Sequence, residues 1–394
     1  MRIVDVNEFY SPTGGGVRTY VDRKMELMAE LGHELIVIAP GKRDWIDARP
    51  AGRVIYVKAP PMPFDANYGL FWSAAPVTRL LDELAPDLVE ASSPWRPAWI
   101  VGRWRGAAPR VFFMHNDNLK AYVERWFEGL ASPAWVERRF AWYSRYINDF
   151  LKYYDAVLTN GPALAKRLAR RGVRIDAAMP LGIERGHFSP ALRDQGLRAS
   201  MLAELGLPPT AHVLLDLGRH HPEKRWPMVI EAVARARRDL PVGLILIGDG
   251  YERRRIEKLI APHRNIVLWR PIYDRLQLAR VLASADALIH GSEGEPFGLV
   301  ASEAIASGLP LIAPDEGGCA EVAAPQASAL YRAKDPAAAA AAIARLFAGD
   351  REELRRAALA AAARVRTDAD HCRELMAYYQ ALIAQGRRAV VAKP

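Results

Sequence analysis

The sequence has few cysteines and no long hydrophobic run. Only Cys319 and Cys372 occur among 394 residues, too few for a disulfide framework and without the spacing of a metal site. No stretch of about 18 uncharged apolar residues is present. Asp5 and Glu8 interrupt the first segment, where a signal peptide needs an apolar core. We therefore expect two ordinary thiols and a cytoplasmic protein.

The excess of positive charge is modest and is spread over both halves of the chain. The formal net charge is +9, from 54 Lys and Arg against 45 Asp and Glu. Residues 1–185 carry 26 of the basic and 21 of the acidic residues, which leaves +4 for the remainder. A dedicated nucleic-acid face is therefore not predicted. Anionic small substrates or anionic lipid are compatible with this charge.

The length and the alternation of patterns predict two α/β domains. Short β-branched runs alternate with helical patterns, and the alternation restarts after a Pro- and Gly-rich junction at Pro180–Pro190. The predicted strands are Ile3–Val6, Leu35–Ile38, Val54–Val57, Val111–Met114, Ala156–Thr159, Val213–Leu217, Leu244–Ile247, Ile266–Trp269, Ala287–Ile289 and Leu311–Ala313. We expect two doubly wound, Rossmann-like domains facing across a cleft, residues 1–183 and 184–370. A last helix ending at Gly386 and a tail, residues 371–394, are expected to pack back on the first domain.

Two loops after predicted strands are suited to phosphate. TGGGVRTYV follows the first strand, and Gly14, Gly15 and Gly16 would let backbone N–H groups approach an anion at a helix start. A plain strand-to-helix turn is the alternative. The loop is no dinucleotide fingerprint, since Thr19 stands where the third glycine is needed and the second strand ends without an acidic residue.

The second loop, LGRHHPEK, opens the second domain. Gly218 permits a sharp turn, and Arg219 with Lys224 can converge on one diphosphate. His220 and His221 lack a third ligand at metal-like spacing, so we interpret them as bystanders.

A third stretch, HGSEGEPFGLVASEAIASG, holds two carboxylates eight positions apart, Glu295 and Glu303. We predict a helix from about Phe297 or Gly298 to Gly308, with Glu303 about one and a half turns in. Free N–H groups at that helix start could bind a phosphate, and each carboxylate could accept bonds from a sugar. The alternative is two acidic residues favoured by the helix dipole.

Several segments, in order along the chain, resemble the landmarks of one enzyme family. They are the GGG loop, PLGIERGHFSP, LGRHHPEK, ILIGDGYERRRIE and EPFGLVASEAIASGLPLIAPDEGGCAEV. Together they are similar to the retaining GT-B glycosyltransferases of the glycogen-synthase-like, sucrose-synthase-like and phosphatidylinositol-mannosyltransferase-like group, family four. The resemblance spans almost the whole chain. It implies an acceptor-binding first domain and a second domain that binds a nucleotide sugar.

The resemblance also implies roles for single residues. Glu295 would hydrogen-bond the donor sugar, and Glu303 the ribose. Arg219 and Lys224 would clamp the diphosphate, and His115 would reach the donor sugar from the first domain. The other implied donor-site positions are Gly14, Gly15, Gly16, Arg270 (through nearby backbone, for the base), Phe297, Gly298, Leu299 and Val300.

Departures from the family pattern concern the acceptor side. Leu181 and Glu184 stand where the family usually has Asn and Asp, and His115–Asp117 (HND) is an unusual continuation after a strand. Six of the ten tryptophans lie between Trp95 and Trp142, interleaved with arginine. Such a segment can meet an anionic membrane surface, line a sugar groove or pack helices.

The implied activity is transfer of a hexose with retention of configuration, mannose favoured over glucose and GDP-mannose over UDP-glucose. The acceptor would be lipid-linked or a glycan, with possible peripheral contact at the cytoplasmic face of a membrane. No metal or other cofactor is expected, because the clamp and the helix start can stabilise the leaving group. Asp368–Asp370 is the only metal-like acidic pair.

Two other classes of protein stay open. One is a non-catalytic GT-B scaffold that binds glycan or membrane, against which the intact Arg219, Lys224, Glu295 and Glu303 set speaks. The other is an NAD-dependent oxidoreductase, against which the missing ribose acid and third glycine speak.

Overall fold

The computed structural model describes residues 1–12, 16–62, 65–119, 123, 127–128, 130–184, 186–295 and 297–391. The chain divides into two compact units. The first unit is Met1–Pro180 with Asp368–Pro394, and the second is Leu181–Thr367. These boundaries lie within three residues of the predicted ones. Among the described residues, no helix combines the length and the apolar character needed to cross a membrane.

The first unit is built on a mostly parallel sheet with the strand order β10-β9-β8-β7-β1-β2-β4-β3, in which only β3 runs antiparallel to its neighbour. The short strands β5 and β6 pair with each other. The strands are β1 Arg2–Val6, β2 Glu34–Gly41, β3 Trp45–Arg49, β4 Gly52–Lys58, β5 Pro61–Met62, β6 Asp65–Gly69, β7 Leu88–Ala91, β8 Arg110–Met114, β9 Ala156–Thr159 and β10 Ala177–Ala178. The first six described helices are α1 Gly16–Glu30, α2 Ala75–Leu84, α3 Arg96–Arg103, α4 Pro133–Arg139, α5 Ala141–Leu151 and α6 Pro162–Arg170.

The second unit has a parallel sheet whose strand order, β13-β12-β11-β14-β15-β16, is that of a Rossmann domain. Its strands are β11 His212–Leu217, β12 Val242–Ile247, β13 Ile266–Trp269, β14 Ala287–Ile289, β15 Leu311–Pro314 and β16 Ser328–Tyr331. Its helices are α7 Gln195–Glu204, α8 Trp226–Ala236, α9 Arg253–Ile260, α10 Arg275–Ser284, α11 Leu299–Ala306, α12 Gly318–Val322, α13 Pro336–Phe347 and α14 Arg351–Ala362. Three short 3-10 turns are Pro190–Leu192, Pro222–Lys224 and Pro325–Ala327.

Continuous burial along most of the strands, such as Glu34–Gly41 and Val242–Ile247, explains both sheets. Each of the ten predicted strands lies within an observed one, because runs of Val, Ile and Leu fill both faces of a sheet that helices cover. In the second unit, one face packs residues such as Leu215 and Leu288, and the other face packs residues such as Leu214 and Ile289. The chain order reverses between β11 and β14, which makes the carboxyl ends of these two strands the switch point of the sheet.

The last helix, α15 Asp368–Val391, belongs to the first unit. Its residues Cys372, Leu375 and Tyr379 join the core that includes Ile3 and Leu35. The predicted end at Gly386 is wrong: the helix continues through it, since a single glycine costs only about 1 kcal/mol in a helix interior. The helix α13 has a side-chain N-cap, because the Asp335 carboxylate accepts hydrogen bonds from its first turn.

A buried ion pair lies between this last helix and the sheet. Lys24 Nζ on α1 is 2.6 Å from Glu90 Oε2 on β7, and both side chains are 1% exposed. The Tyr379 hydroxyl of α15 donates to the same carboxylate. Burial raises the pKa of the neighbouring Asp5 to about 7, the Glu90 charge adds to this, and Lys24 opposes it. The network therefore joins α1, the sheet and α15 through one buried charge pair.

We predict that Lys24→Met lowers the free energy of unfolding by about 3–5 kcal/mol, because it leaves the Glu90 carboxylate buried without its cation. Denaturant unfolding followed by circular dichroism measures this. Lys152→Met is the matched control, since that lysine forms an exposed pair with Asp149, and its unfolding curve should match wild type. A Lys24→Met curve equal to that of the control would contradict the assignment.

Candidate active site

The candidate site lies at the carboxyl ends of β11 and β14 in the second unit. Ligands of doubly wound sheets bind where the strand order reverses, outside the carboxyl ends of the strands. The two loops that leave these strands are Gly218–Arg225 and His290–Gly298. They carry Lys224 and Glu295, two of the residues that the sequence pattern singled out.

Lys224 ends the short 3-10 turn that follows β11. Its side chain is only 9% exposed and runs past Gly218, where an added Cβ would lie 2.7 Å from Lys224 Cε. Gly291 approaches equally closely, since its Cβ would lie 2.5 Å from the Lys224 carbonyl oxygen. The two glycines thus make room for a lysine inside the fold rather than on its surface.

Glu295 is the partner of this lysine. Lys224 Nζ donates to Glu295 Oε2 across 2.7 Å, and the glutamate side chain is 19% exposed. Burial alone would raise the pKa of Glu295, but Lys224 and His290 outweigh it and hold the pKa well below its usual range. Burial likewise opposes the charge on Lys224, and Glu295 reverses this, so that the pKa of Lys224 is raised. Both groups are therefore ionised at neutral pH.

Behind Glu295 lies a pair of fully buried groups that the sequence pattern did not indicate. His290 follows β14, with Nδ1 3.4 Å from Asp216 Oδ1 on β11 and Nε2 3.5 Å from Glu295 Oε2. Nothing in the local sequence distinguishes either residue from a packed core position. They meet because β11 and β14 are neighbours in the sheet.

The helix α11 begins at the mouth of the site. Gly298 is its N-cap with φ of +63°, a left-handed conformation that favours glycine, and no side chain caps the helix. The hydrogen-bond ladder of α11 begins with the Ser302 amide, which donates to the Gly298 carbonyl. The amides of Leu299 and Val300 therefore have no partner within the helix, while their side chains pack on the core. The helix starts one or two residues later than predicted.

Gly318, to which the sequence pattern assigned no role, fixes the loop of Glu295 together with Gly298. The amide of Gly318 donates to the Glu295 carbonyl across 2.7 Å. An added Cβ at Gly318 would lie 2.7 Å from backbone atoms of Phe297, and one at Gly298 2.7 Å from the Gly318 carbonyl oxygen. The close contact of these two backbones positions both the carboxylate and the start of α11. The GG dipeptide after β15 was the available signal.

Glu303 is the fifth residue of α11, about one turn from its start rather than one and a half. Burial raises the pKa of Glu303 to about 7, and Arg275, whose Nη2 lies 3.6 Å from Oε1, only partly opposes it. Arg275 also lies 4.0 Å from Glu184, one of the positions that depart from the family pattern. Glu303 is thus a buried carboxyl near the start of α11, and Arg275 compensates its negative charge only in part.

Two other predicted donor-site residues have exposed side chains. Arg219 is 81% exposed and forms a 3.4 Å contact with Glu223. Lys224, in contrast, points inward to Glu295. Arg270 is 72% exposed and pairs with Asp249 across 2.6 Å.

His220 and His221, between Arg219 and Lys224 in the chain, both contact neighbouring residues of the second unit. His220 lies against the Trp226 ring at 4.7 Å between centroids. His221 Nδ1 accepts a hydrogen bond from the Glu223 amide. Among the described residues, no group of three His, Cys, Asp or Glu side chains is arranged to hold a metal ion.

In the first unit, His115 follows β8 and is half-buried. Its ring stacks on Phe113 at 4.4 Å and meets the edge of Tyr20 at 5.2 Å. Burial, helped by the charge of Lys24, lowers the pKa of His115 to about 3, so the imidazole is neutral. Gly16 is the first residue of α1, and a Cβ there would meet open space. Gly14 and Gly15 lie outside the described residues.

The tryptophans between Trp95 and Trp142 differ in burial. Trp104 is buried, with Nε1 donating to Asp82, and Trp99 packs partly into the core. The other described members are exposed by two fifths or more, namely Trp95, Trp135 and Trp142. Trp126 lies outside the described residues.

The unusual HND continuation after β8 has a structural explanation. Asp117 is 3% exposed and receives hydrogen bonds from Arg167 and Arg171 at 2.8 Å. Arg171 follows α6, and Arg167 lies within it. The aspartate therefore attaches the loop to that helix.

Comparison with known proteins gives the family. The family model described as "Glycosyl transferases group 1" matches residues 198–365. The model described as "Glycosyltransferase Family 4" matches residues 14–178. With the relatives below, these matches show that the chain belongs to the GT-B glycosyltransferases of family four. It is a glycosyltransferase, as the resemblance implied.

Similar proteins share most of their length with this chain. A GDP-mannose-dependent alpha-(1-6)-phosphatidylinositol dimannoside mannosyltransferase from Mycobacterium tuberculosis is 31% identical over 82% of this chain and 84% of its own. A GDP-mannose-dependent alpha-mannosyltransferase from Mycolicibacterium smegmatis is 29% identical over 99% of both chains. The solved structure of sucrose-phosphate synthase from Thermosynechococcus elongatus matches with a TM-score of 0.76 and 21% identity, over 98% of this chain and 100% of that one. The structural likeness supports the fold.

We predict that Glu303→Gln changes the pH dependence of stability. The carboxyl pKa is about 7 in the folded state against 4.5 in the unfolded chain, so its stabilising protonated form is lost as the pH rises through 7. Relative to the variant, wild type should lose on the order of 2 kcal/mol of unfolding free energy between pH 5 and pH 8. Chemical unfolding of both proteins across that range measures it. Parallel curves would show that Glu303 is solvated like an ordinary glutamate.

Proposed function

We propose that the protein transfers mannose from GDP-mannose to a lipid-linked or glycan acceptor, with retention of configuration and without a metal ion. The observation that carries the proposal is the buried Lys224–Glu295 pair at the switch point of the second unit. It places a cation for a diphosphate and an ionised acceptor for sugar hydroxyls side by side.

The contacts of Glu295 suit it to bind a sugar. Lys224 and His290 both approach Oε2, which leaves Oε1 to accept a hydroxyl of the transferred hexose. The amides of Leu299 and Val300, at an uncapped helix start, suit a phosphate. Glu303, one turn further, suits the ribose hydroxyls, and binding them would offset its poorly compensated burial. These residue roles are part of the proposal.

The proposed step needs stabilisation of the departing diphosphate. The bond between the anomeric carbon and the β-phosphate oxygen breaks while an acceptor hydroxyl attacks from the same face, and its proton passes to the departing phosphate. Lys224 and the helix N-terminus would stabilise the developing charge. Arg219 can join them, since its exposed contact with Glu223 is weak and is given up at little cost. His115, neutral at pH 7, would donate a hydrogen bond to the donor sugar.

The names of the relatives and the surface of the first unit support the proposed donor and acceptor. Two relatives are named as GDP-mannose-dependent enzymes, and one of them is named a phosphatidylinositol dimannoside mannosyltransferase. Exposed Trp95, Trp135 and Trp142, in a segment interleaved with arginine, suit an anionic membrane surface where such an acceptor resides. Co-sedimentation with vesicles containing phosphatidylinositol, compared with neutral vesicles, tests that contact.

We predict that Glu295→Gln lowers kcat/KM by about 100-fold or more while GDP affinity changes little, because GDP lacks the sugar that Glu295 contacts. Wild type and variant are assayed with GDP-mannose and UDP-glucose on mannosylated phosphatidylinositol in vesicles. Nuclear magnetic resonance then identifies the anomer of the product, which should be α-linked.

The control is Glu257→Gln, which alters an exposed glutamate of α9 and should behave as wild type. Transfer by Glu295→Gln at the wild-type rate would refute the role of Glu295. A β-linked product would refute retention, and preference for UDP-glucose would refute the donor. Binding of glycan or vesicles with no transfer from either donor would favour the scaffold alternative.

A further inference from the structure

Lys224 has two prospective partners in the proposed function, on which this inference rests. Its Nζ binds Glu295 Oε2 across 2.7 Å in the structure, yet the same ammonium is the inward-pointing cation proposed for the donor diphosphate. A carboxylate as buried as that of Glu295 needs another donor when its lysine turns away. The question is which group then holds Glu295 in place.

The imidazole of His290 is placed to do so. The ring is fully buried between two carboxylates, with Nδ1 3.4 Å from Asp216 Oδ1 and Nε2 3.5 Å from Glu295 Oε2. Across the part of the chain that the structure describes, Nε2 has no hydrogen-bond partner. Because N–H···O bonds span about 2.7–3.2 Å, a shift of a few tenths of an ångström would bring Glu295 into a bond with it.

Two hydrogen bonds hold the backbone of His290 in place. The His290 amide donates to the Ile312 carbonyl across 2.8 Å, and the Tyr331 hydroxyl donates to the His290 carbonyl. With this backbone held and the side chain fully buried, we expect the carboxylate to move to the ring rather than the ring to the carboxylate. An anchored donor of this kind sets the position of a mobile acceptor.

The charged and titratable groups that face the ring come from several elements. They are Asp216 on β11, Cys319 on α12, and Glu295 with its partner Lys224 on the two loops. Burial alone would lower the pKa of His290, but Cys319, Asp216 and Glu295 outweigh it and hold the pKa well above its ordinary value. A protonated ring has two N–H donors, and each ring nitrogen lies near one carboxylate oxygen, at 3.4 Å and 3.5 Å.

We propose that His290 is a positioning residue, anchored by Asp216, whose Nε2–H holds the Glu295 carboxylate in place while Lys224 turns to the donor diphosphate. Lys224 is then shared between two states of the site, bound to Glu295 without donor and to phosphate with it. His290 lies beside Glu295 in the first state, at 3.5 Å, and bonds to it in the second. Glu295, which would accept the hydrogen bond of the sugar hydroxyl, thus keeps its position when Lys224 turns to the phosphate.

The test is steady-state kinetics of His290→Gln with GDP-mannose. Glutamine keeps a hydrogen-bond donor but loses the positive charge. We expect kcat to fall by about 10- to 100-fold, while KM for GDP-mannose and the affinity for GDP change less than about threefold, since neither depends on the charge behind Glu295. The acidic limb of the kcat profile should also move to higher pH, because Glu295 without the imidazolium takes up a proton more readily.

The matched control is His212→Gln. His212 is a half-buried imidazole of the same unit that stacks on Phe347 at 3.9 Å, and its removal should leave kcat and the pH profile as in wild type. Asp216→Asn is the second variant, in case His290→Gln does not fold. It weakens the anchor at Nδ1 and should reproduce the fall in kcat and the shifted limb.

The outcomes separate the inference from the proposed function. If wild type transfers mannose but His290→Gln, or Asp216→Asn in its place, keeps the wild-type kcat and pH profile, the inference is wrong. Equal losses of kcat, GDP affinity and thermal midpoint would assign His290 a purely structural role and also overturn it. If wild type itself turns over no nucleotide sugar, the proposed function is wrong, and the inference falls with it.

Discussion

The ion pair of Lys224 and Glu295 joins the two loops that leave β11 and β14, at the one place where the strand order of the second unit reverses. The surrounding residues accommodate it. Gly218 leaves space for the lysine side chain, and the amide of Gly318 holds the backbone of Glu295. Since a buried ion pair is tolerated only when its remaining bonding capacity is also satisfied, the imidazole behind Glu295 and the open helix start belong to the same arrangement.

The first unit contains a second buried Lys–Glu pair, and the contrast shows what makes a site. Lys24 and Glu90 are each 1% exposed, and the Tyr379 hydroxyl of the last helix donates to the same carboxylate oxygen as Lys24. Within the described residues, neither side chain of this ion pair is accessible to a ligand. We therefore expect the pair to affect the free energy of unfolding rather than binding. Lys224 and Glu295 are 9% and 19% exposed, which allows each to exchange its partner for a substrate group.

Sequence patterns predicted what is local and missed what depends on contacts between distant segments. The ten strands and the loops of Lys224 and Glu295 were predictable, since β-branched runs and the glycines after them are continuous in the chain. Strand β7 was not, because Glu90 interrupts its apolar run and its partner lies 66 residues away. His290 and Asp216 are 74 residues apart and gave no local signal. Spacing also could not show that Lys224 points inward and Arg219 outward, because loop direction depends on the packing around Gly218 and Gly291.

The central claim is that the Lys224–Glu295 cluster binds the diphosphate of a nucleotide sugar, and calorimetric titration of GDP, UDP and ADP into wild type and Lys224→Met tests it most directly. The account predicts that GDP binds wild type with a Kd on the order of micromolar, in EDTA as in magnesium, and at least about tenfold more weakly to the variant, a difference of roughly 1.4 kcal/mol. GDP affinity that is the same in both proteins, or no binding of any of the three nucleotides to wild type, would contradict it.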